Sequence, residues 1–288
     1  MRVEKFNAKN SRKISEEILS NYPSISYSHL QKLFRNRDIK LNGKRISKDA
    51  VIQKNDEIVF YIKEIPNDKL DIIYEDENVI CVFKPRKIET VSEKVNNDLQ
   101  TKVANYLSSE CYAVHRLDMN TEGLVLFAKN ENAKKSLDLA FKNRTIEKYY
   151  LARVYGRLAK LEDKMIAYLK KFADKSYVDI IDKSLDGYDK IQTDYKVICE
   201  KDDNSIIEVH LVTGKTHQIR AHFAHIGHFV IGDEKYGDSK INKQFGCKYQ
   251  NLCAYKIIFK FKRDDLLSYL DGKEIVIDKN KIDFCQNL

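Results

Sequence analysis

The 288-residue sequence contains no run of 18 apolar residues. A helix needs about 20 to cross a bilayer, so no transmembrane helix and no membrane partner is expected. The opening stretch "MRVEKFNAKNSRK" lacks the apolar core of an export signal, and a cytoplasmic location is expected. Proline is scarce, at three residues; Pro66 falls in "KEIPNDKLD", residues 63–71, which reads as a linker. The six cysteines, at 81, 111, 199, 247, 253 and 285, form no C-x-x-C pair. They read as reduced thiols, some of them in the core, and give little support to a zinc site. There is no H-E-x-x-H, no internal repeat and no low-complexity tract. "GKT" at 214–216 lacks the upstream glycine of a phosphate loop, because Val209 stands in its place.

What the sequence has in excess is positive charge, a net of +8 with a pI near 8.9. Residues 1–64 hold 14 Lys and Arg against 8 Asp and Glu, so most of the excess lies in the first quarter of the chain. A polyanionic partner is one reading and a solvated basic face is the other. The pattern there is regular. Ser26 or Ser28 can cap a helix from His29 to about Arg37, with Leu30, Leu33 and Phe34 as its apolar stripe. Ile39-Lys40-Leu41, Asn42-Gly43 and Lys44-Arg45-Ile46 then spell a hairpin, and a strand ends near Ile62. This order, over about residues 11–63, resembles the small αL-type RNA-binding domain of a bacterial small-subunit ribosomal protein and of tyrosyl-tRNA synthetases. The resemblance makes Lys32, Arg35, Arg37, Lys40, Lys44 and Arg45 candidate RNA-binding residues. Two domains are expected: 1–64, small and basic, and 65–288.

In the second, "IIYEDENVICVFKP" reads as two strands joined by an acidic turn, and "GLVLFA" (123–128) as a buried strand. Asn97 to Leu107 and Asn130 to Lys142 read as helices; strand-like runs recur at 149–156, 190–199, 205–212 and 255–261. Interspersed helices and hairpin-length links favour an α+β fold with a mixed, mainly antiparallel sheet.

The segment "VTGKTHQIRAHFAHIGHFVIGDEKYG", residues 212–237, holds His217, His222, His225 and His228, four of the seven histidines. With no acid completing a ligand set, it reads better as a helix capped by Thr216 and stopped at Gly227, with Ile219, Phe223 and Ile226 on its apolar face. His115, Arg116 and Asp118 crowd together before the 123–128 strand. On the residues alone, Asp118, Asn120 and Thr121 build a turn, Tyr150 is a core aromatic, and Arg220 is a surface cation.

A resemblance changes that reading. "HRLDMNTEGLVLFAKN" is similar to the H-R-L-D signature of the RluA-type pseudouridine synthases. "TGKTHQIRAHFAHIGHFVIGDEKYG", "IIYEDENVICVFKP", "EKYYLARVYG" and "NLCAYKIIF" resemble four more of the family's blocks, in the family's order, across about residues 70–261. The sequence departs from the pattern at Arg86-Lys87, Glu122, Phe229 and Cys253.

The resemblance implies an isomerase that detaches uracil from ribose in RNA, rotates it and rejoins it through carbon 5, with no cofactor and no metal. It assigns Asp118 as the nucleophile, suited to bond covalently or to offset positive charge on the sugar. The target must leave its stack, and Arg116 would hold the flipped nucleotide or its vacated place, with His115 beside it. Tyr150 would stack on the base. Arg220 would pair with Asp118, keeping it ionised against burial, and its planar fork would fix the carboxylate's orientation. The expected partner is ribosomal RNA of the large subunit, or tRNA, and the expected state is a monomer. The alternatives are a noncatalytic RNA-binding or ribosome-assembly protein and a metal-dependent nucleic-acid hydrolase.

Overall fold

The computed structural model describes residues 2–22, 25, 30, 33–62, 70–92, 98–107, 109–172 and 177–285. Two compact units emerge: Met1–Leu70 with Thr101–Glu110, and Asp71–Gln100 with Cys111–Leu288.

The first unit carries β1 (Arg2–Asn7), β2 (Arg12–Lys13), α1 (Ile14–Asn21), β3 (Ile39–Leu41), β4 (Lys44–Ile46), β5 (Val51–Ile52) and β6 (Glu57–Ile62). Four strands form an antiparallel sheet in the order β1-β6-β3-β4, and β2 pairs with β5. Alternation decides its faces: Ile58 and Phe60 are fully buried while Val59 and Tyr61 are not. Asn42 and Gly43 both adopt positive φ, 48° and 80°, as a two-residue hairpin turn demands. Leu30, Leu33 and Phe34 enter the core beside Ile14 and Ile18 of α1, as their spacing predicts. Ser26, Ser28, His29 and Lys32 of the expected helix lie outside the described residues. The sequence reading overlooked α1 and β1.

In the second unit β7 (Asp71–Glu75), β8 (Val79–Lys84), β9 (Tyr112–Ala113), β10 (Glu122–Ala128), β11 (Ile146–Tyr155), β12 (Glu162–Phe172), β13 (Tyr177–Ile181), β14 (Asp189–Lys201), β15 (Asn204–His210), β16 (Leu252–Phe259) and β17 (Glu274–Val276) form one 11-stranded sheet. Its order is β13-β12-β14-β15-β11-β16-β10-β8-β7, with β17 on β16 and β9 on β10. All pairs are antiparallel except β10 with β16. The fold is thus α+β with a mixed, mainly antiparallel sheet. The further α-helices are α2 (Leu99–Leu107), most of which clusters with the first unit, and, in the second, α3 (Glu131–Lys142), α4 (Gln218–His225) and α5 (Ser239–Gln244).

β8 and β10 lie side by side, from Gly123↔Lys84 to Ala128↔Val79. Gly123 to Ala128 are all buried, which is why the strand reads as an unbroken apolar run rather than an alternating one. Asn130 caps α3 by accepting Ala133 N at 2.9 Å. Ala133, Leu137 and Ala140, at i, i+4 and i+7, then join Leu124 and Leu126 in the core. Leu137→Ala there should cost about 2–5 kcal/mol. Gly123 is tightly confined: its φ is 123°, and a Cβ would stand 2.2 Å from the Ala254 carbonyl oxygen on β16. The close parallel contact of β10 with β16, one residue pair past Glu122↔Cys253, therefore needs glycine.

Candidate active site

Asp118 sits in the loop between β9 and β10, and that loop is bonded on several sides. His115 Nε2 accepts the Leu126 N–H at 3.0 Å. Leu117 N donates to Thr90 Oγ1 at 3.1 Å, and Thr90 Oγ1 donates back to Leu117 O at 3.3 Å. Met119 O accepts from Lys87 N at 2.9 Å and from the Lys84 ammonium at 3.0 Å. Gln250 Nε2 donates to Thr121 Oγ1. The turn expected at Asp118–Thr121 is present, closed by Thr121 N to Asp118 O at 3.0 Å. Lys84 is fully buried at the end of β8 and also donates to Pro85 O and Ile88 O, at 3.0 and 2.9 Å. Burial lowers its pKa to about 8, partly offset by the charges of Asp118 and Glu122. A lysine that the sequence reading passed over thus clamps the segment after β8 to the Asp118 loop.

Arg220 comes from α4, which begins at Gln218 rather than after a Thr216 cap. Its N-cap is His217, in the left-handed region at φ 53°. Ile219 and Phe223 are buried as expected, whereas Ile226 is exposed. Arg220 Nη1 donates to Asp118 Oδ2 at 2.8 Å. The two-pronged contact expected for this pair goes elsewhere: Nε and Nη2 grip Asp233 Oδ2 and Oδ1, at 2.6 and 2.9 Å. Asp233 is wholly buried and also accepts Lys235 N and Tyr236 N, at 2.9 and 3.2 Å. Burial pushes its carboxyl pKa up, but the Arg220 bonds and charge and the two backbone donors outweigh burial and hold it below the ordinary value. Burial likewise works against the guanidinium charge, and Asp233 first, then Asp118, more than restores it. Asp118 therefore receives one hydrogen bond from a guanidinium oriented by a second carboxylate.

Tyr150, on β11, is 6% exposed and lines the same cavity as Asp118. Burial and then the Asp118 charge raise its pKa, so it is a neutral phenol at pH 7. Tyr149 faces the other way and stacks on His210 with ring centroids 4.7 Å apart. His217 Nε2 lies 3.9 Å from Asp118 Oδ2, and its Nδ1 is 2.9 Å from the Tyr236 hydroxyl. Burial lowers the His217 pKa, partly offset by Asp118. The cavity, about 520 Å³, is lined by Arg116, Asp118, Tyr150, His217 and Arg220 among others, and a groove of about 610 Å³ adjoins it at Asp118.

The structure gathers Asp118, Tyr150 and Arg220 at one cavity, with Arg116 exposed at its edge and His115 in its wall. The His115 ring is engaged with Leu126, and burial, then Lys148, lowers its pKa to about 3, so it is neutral. The remaining histidines diverge: His222 to Thr193 Oγ1, His225 to Asp182 and His228 to Tyr155 O, at 3.0, 2.8 and 2.9 Å. Among the described residues no three metal-ligating side chains converge. In the first unit Lys40 and Arg45 each lie 5.3 Å from the Tyr61 ring centre, while Arg35, Arg37 and Lys44 are exposed.

Two departures from the family pattern turn out to be partners, since Arg86 Nη2 binds Glu122 Oε1 at 2.8 Å. Cys253 is Glu122's register partner on β16, and Phe229 stacks on Tyr155 with centroids 5.2 Å apart. Asp233 lies within the "IGDEKYG" match, at a position where the family's pattern also has an aspartate, and the sequence reading gave it no role.

Residues 78–225 match the RNA pseudouridylate synthase family. An uncharacterized RNA pseudouridine synthase of Mycoplasma capricolum is 32% identical over 88% of this chain and 90% of that protein. The ribosomal large subunit pseudouridine synthase C of Rickettsia felis is 28% identical over 86% of this chain and 90% of its own. Human RNA pseudouridylate synthase domain containing 1 shares the fold, with a TM-score of 0.62 and 22% identity over 78% of this chain and 90% of that one. The chain belongs to the RNA pseudouridylate synthase family, of the RluA type its motifs resemble, and is an RNA pseudouridine synthase.

Proposed function

We propose that this enzyme isomerises uridine in large-subunit ribosomal RNA, acting as a cytoplasmic monomer, with Asp118 as its nucleophile. The observation that carries the reading is the Asp118–Arg220–Asp233 chain of bonds opening onto the cavity that Tyr150 lines. Asp233 holds the guanidinium and leaves Nη1 directed at Asp118, so the carboxylate stays oriented at the cavity wall. As the bond from ribose to N1 breaks, Asp118 takes up the sugar. The uracil turns on the Tyr150 face, carbon 5 bonds to the sugar as the Asp118–sugar bond breaks and frees the carboxylate, carbon 5 gives up its proton and N1 gains one, so composition is unchanged. Arg116, exposed and without a hydrogen bond or ion pair to any described residue, holds the displaced nucleotide or its vacated place. The first unit supplies sequence-independent phosphate contacts through Arg35, Arg37, Lys40, Lys44 and Arg45. The target assignment is supported by the Rickettsia relatives, which are named as large-subunit synthases.

The test is to map pseudouridines in total RNA from cells that lack the gene and carry either the wild-type or the Asp118→Asn protein. A large-subunit site that returns with wild type alone supports the reading. A site returning equally with Asp118→Asn overturns the nucleophile, and a site confined to tRNA overturns the target.

A further inference from the structure

Lys148 is a cation whose charge no described residue answers. It lies on β11 two residues before Tyr150, so both side chains stand on one face of the strand. Both line the cavity that holds Asp118. Among the described residues its ammonium makes no hydrogen bond or ion pair; it lies 5.5 Å from the Phe141 ring centre and near enough to His115 to lower that ring's pKa. Among the described residues two carboxylates line this cavity, and each is already engaged: Asp118 by Arg220 at 2.8 Å and Asp189 by Lys215 at 2.7 Å. Arg144 and Lys190 line the same cavity, also without an ion pair to a described residue.

Room has been left for the ammonium. Gly214 stands beside it, and a Cβ built there would lie 2.9 Å from Lys148 Nζ. Gly214 has no left-handed backbone to require glycine, and a side chain there would displace the flexible end of Lys148 from its present position. Burial lowers the Lys148 pKa to about 8, and neither Asp118 nor any other carboxylate raises it. Leaving a half-buried cation unanswered is unfavourable unless an anion arrives. That anion does not come from Asp118 and must be carried in by the substrate. In a strand of RNA the anionic groups next to a uridine are its flanking phosphodiesters.

We infer that Lys148, given room by Gly214, is an anion subsite that binds one phosphodiester flanking the target uridine as the nucleotide enters the cavity. This rests on the cavity being the one where Asp118 reacts. Lys148 is a positioning residue: it fixes the register of the strand and makes no contact with the reacting carbon. Lysine suits a single phosphate oxygen, since it acts as a point charge.

The test uses the full-length enzyme and synthetic stem–loops carrying the uridine mapped in cells. In one set each phosphodiester near the target is replaced singly by an uncharged methylphosphonate. Wild type, Lys148→Gln and Lys148→Arg are compared in single-turnover assays, after melts confirm that each is folded. Lys148→Gln is expected to raise the half-saturating RNA concentration about tenfold, equivalent to ~1.4 kcal/mol, with the rate at saturation within about threefold of wild type. Lys148→Arg should recover most of the affinity. One neutral linkage beside the target should weaken wild type by a similar factor and leave Lys148→Gln indifferent. Equal sensitivity of wild type and Lys148→Gln to every linkage overturns the proposal. So does a loss confined to the saturated rate, or an unchanged half-saturation. Asp118→Asn, run in parallel, separates the outcomes: activity there overturns the nucleophile while the linkage comparison still reports on Lys148.

Discussion

The two units use positive charge in opposite ways. In the second, three cations around the site are at least partly buried and are committed to partners within the protein, unlike Arg116 and Lys148. Arg220 makes three charge-assisted bonds, Lys84 is caged by three carbonyls, and Arg86 is tied to Glu122. In the first, Arg35, Arg37 and Lys44 are exposed, and Arg45 reaches Asp38 only at 3.7 Å with half its side chain in solvent. Among the described residues there, Arg12 is the half-buried exception, bonded to the buried Glu17. Exposed pairs contribute about 0–1 kcal/mol, so the first unit's cations are free to exchange protein and solvent contacts for phosphate. Chemistry demands fixed charge, and affinity for a backbone polyanion does not.

Four experiments would break or sharpen that contrast. The largest effect should come from Asp118→Asn, which keeps shape but removes charge and nucleophilicity. Single-turnover isomerisation should fall below detection, with RNA binding and the melt unchanged; near-normal turnover would remove Asp118 from the chemistry.

Next is the Arg220–Asp233 pair. Removing one member of a buried pair costs about 3–5 kcal/mol, so Arg220→Ala and Asp233→Ala should each destabilise on that scale in denaturant melts. Arg220→Lys should also lose much of the activity, because an ammonium cannot grip Asp233 with two prongs and still reach Asp118. In double-mutant cycles the Arg220–Asp233 coupling should exceed that of Arg220–Asp118; the reverse order would show that Asp118 is the structural partner. The pH dependence has a definite sign. Asp233's folded pKa lies below its ordinary 3.8, so its contribution is complete above that value and drains away as pH falls through the lower one. Asp233→Asn should flatten that part of the acid-unfolding curve.

A smaller effect is expected at Arg86–Glu122, where both side chains are partly buried. Glu122→Gln should destabilise by about 1–3 kcal/mol. Charge reversal of both residues should recover part of the loss, and no recovery would mean the pair does not hold β10 to the segment after β8.

The smallest effect on rate should come from neutralising Lys40, Lys44 and Arg45 to Gln in the full chain. This is cleaner than deleting residues 1–64, because Thr101–Glu110 clusters with the first unit. The log–log salt slope of RNA affinity should fall by roughly 0.7–0.9 for each phosphate no longer neutralised, with the saturated rate unchanged. An unaltered slope would show that these cations do not meet RNA.

Local signals in the chain were readable wherever one element satisfies itself. The Asn42-Gly43 turn, the Asn130 cap with its Ala133–Leu137–Ala140 stripe, and the apolar run before Lys129 each carry a short-range reason for their shape. β12 was missed because five of its eleven residues are charged and both its faces are partly wet, so alternation alone could not distinguish it from a loop. The motifs around Asp118, Tyr150 and Arg220 named candidates without saying who grips whom.

That last matter belonged to the tertiary structure. Residue types and order determined the enzyme family, the mainly antiparallel α+β fold and the short list of reactive groups, because propensity, periodicity and motif spacing act within tens of residues. Packing decided that Arg220 gives its fork to Asp233 and a single bond to Asp118, that Arg86 answers Glu122, and that Lys148 is left unanswered beside Gly214. Asp118 and Arg220 are 102 positions apart. A partnership across that separation depends on the register of β10 against β16 and on the buried fork that aims the guanidinium, and neither is written in any one stretch of chain.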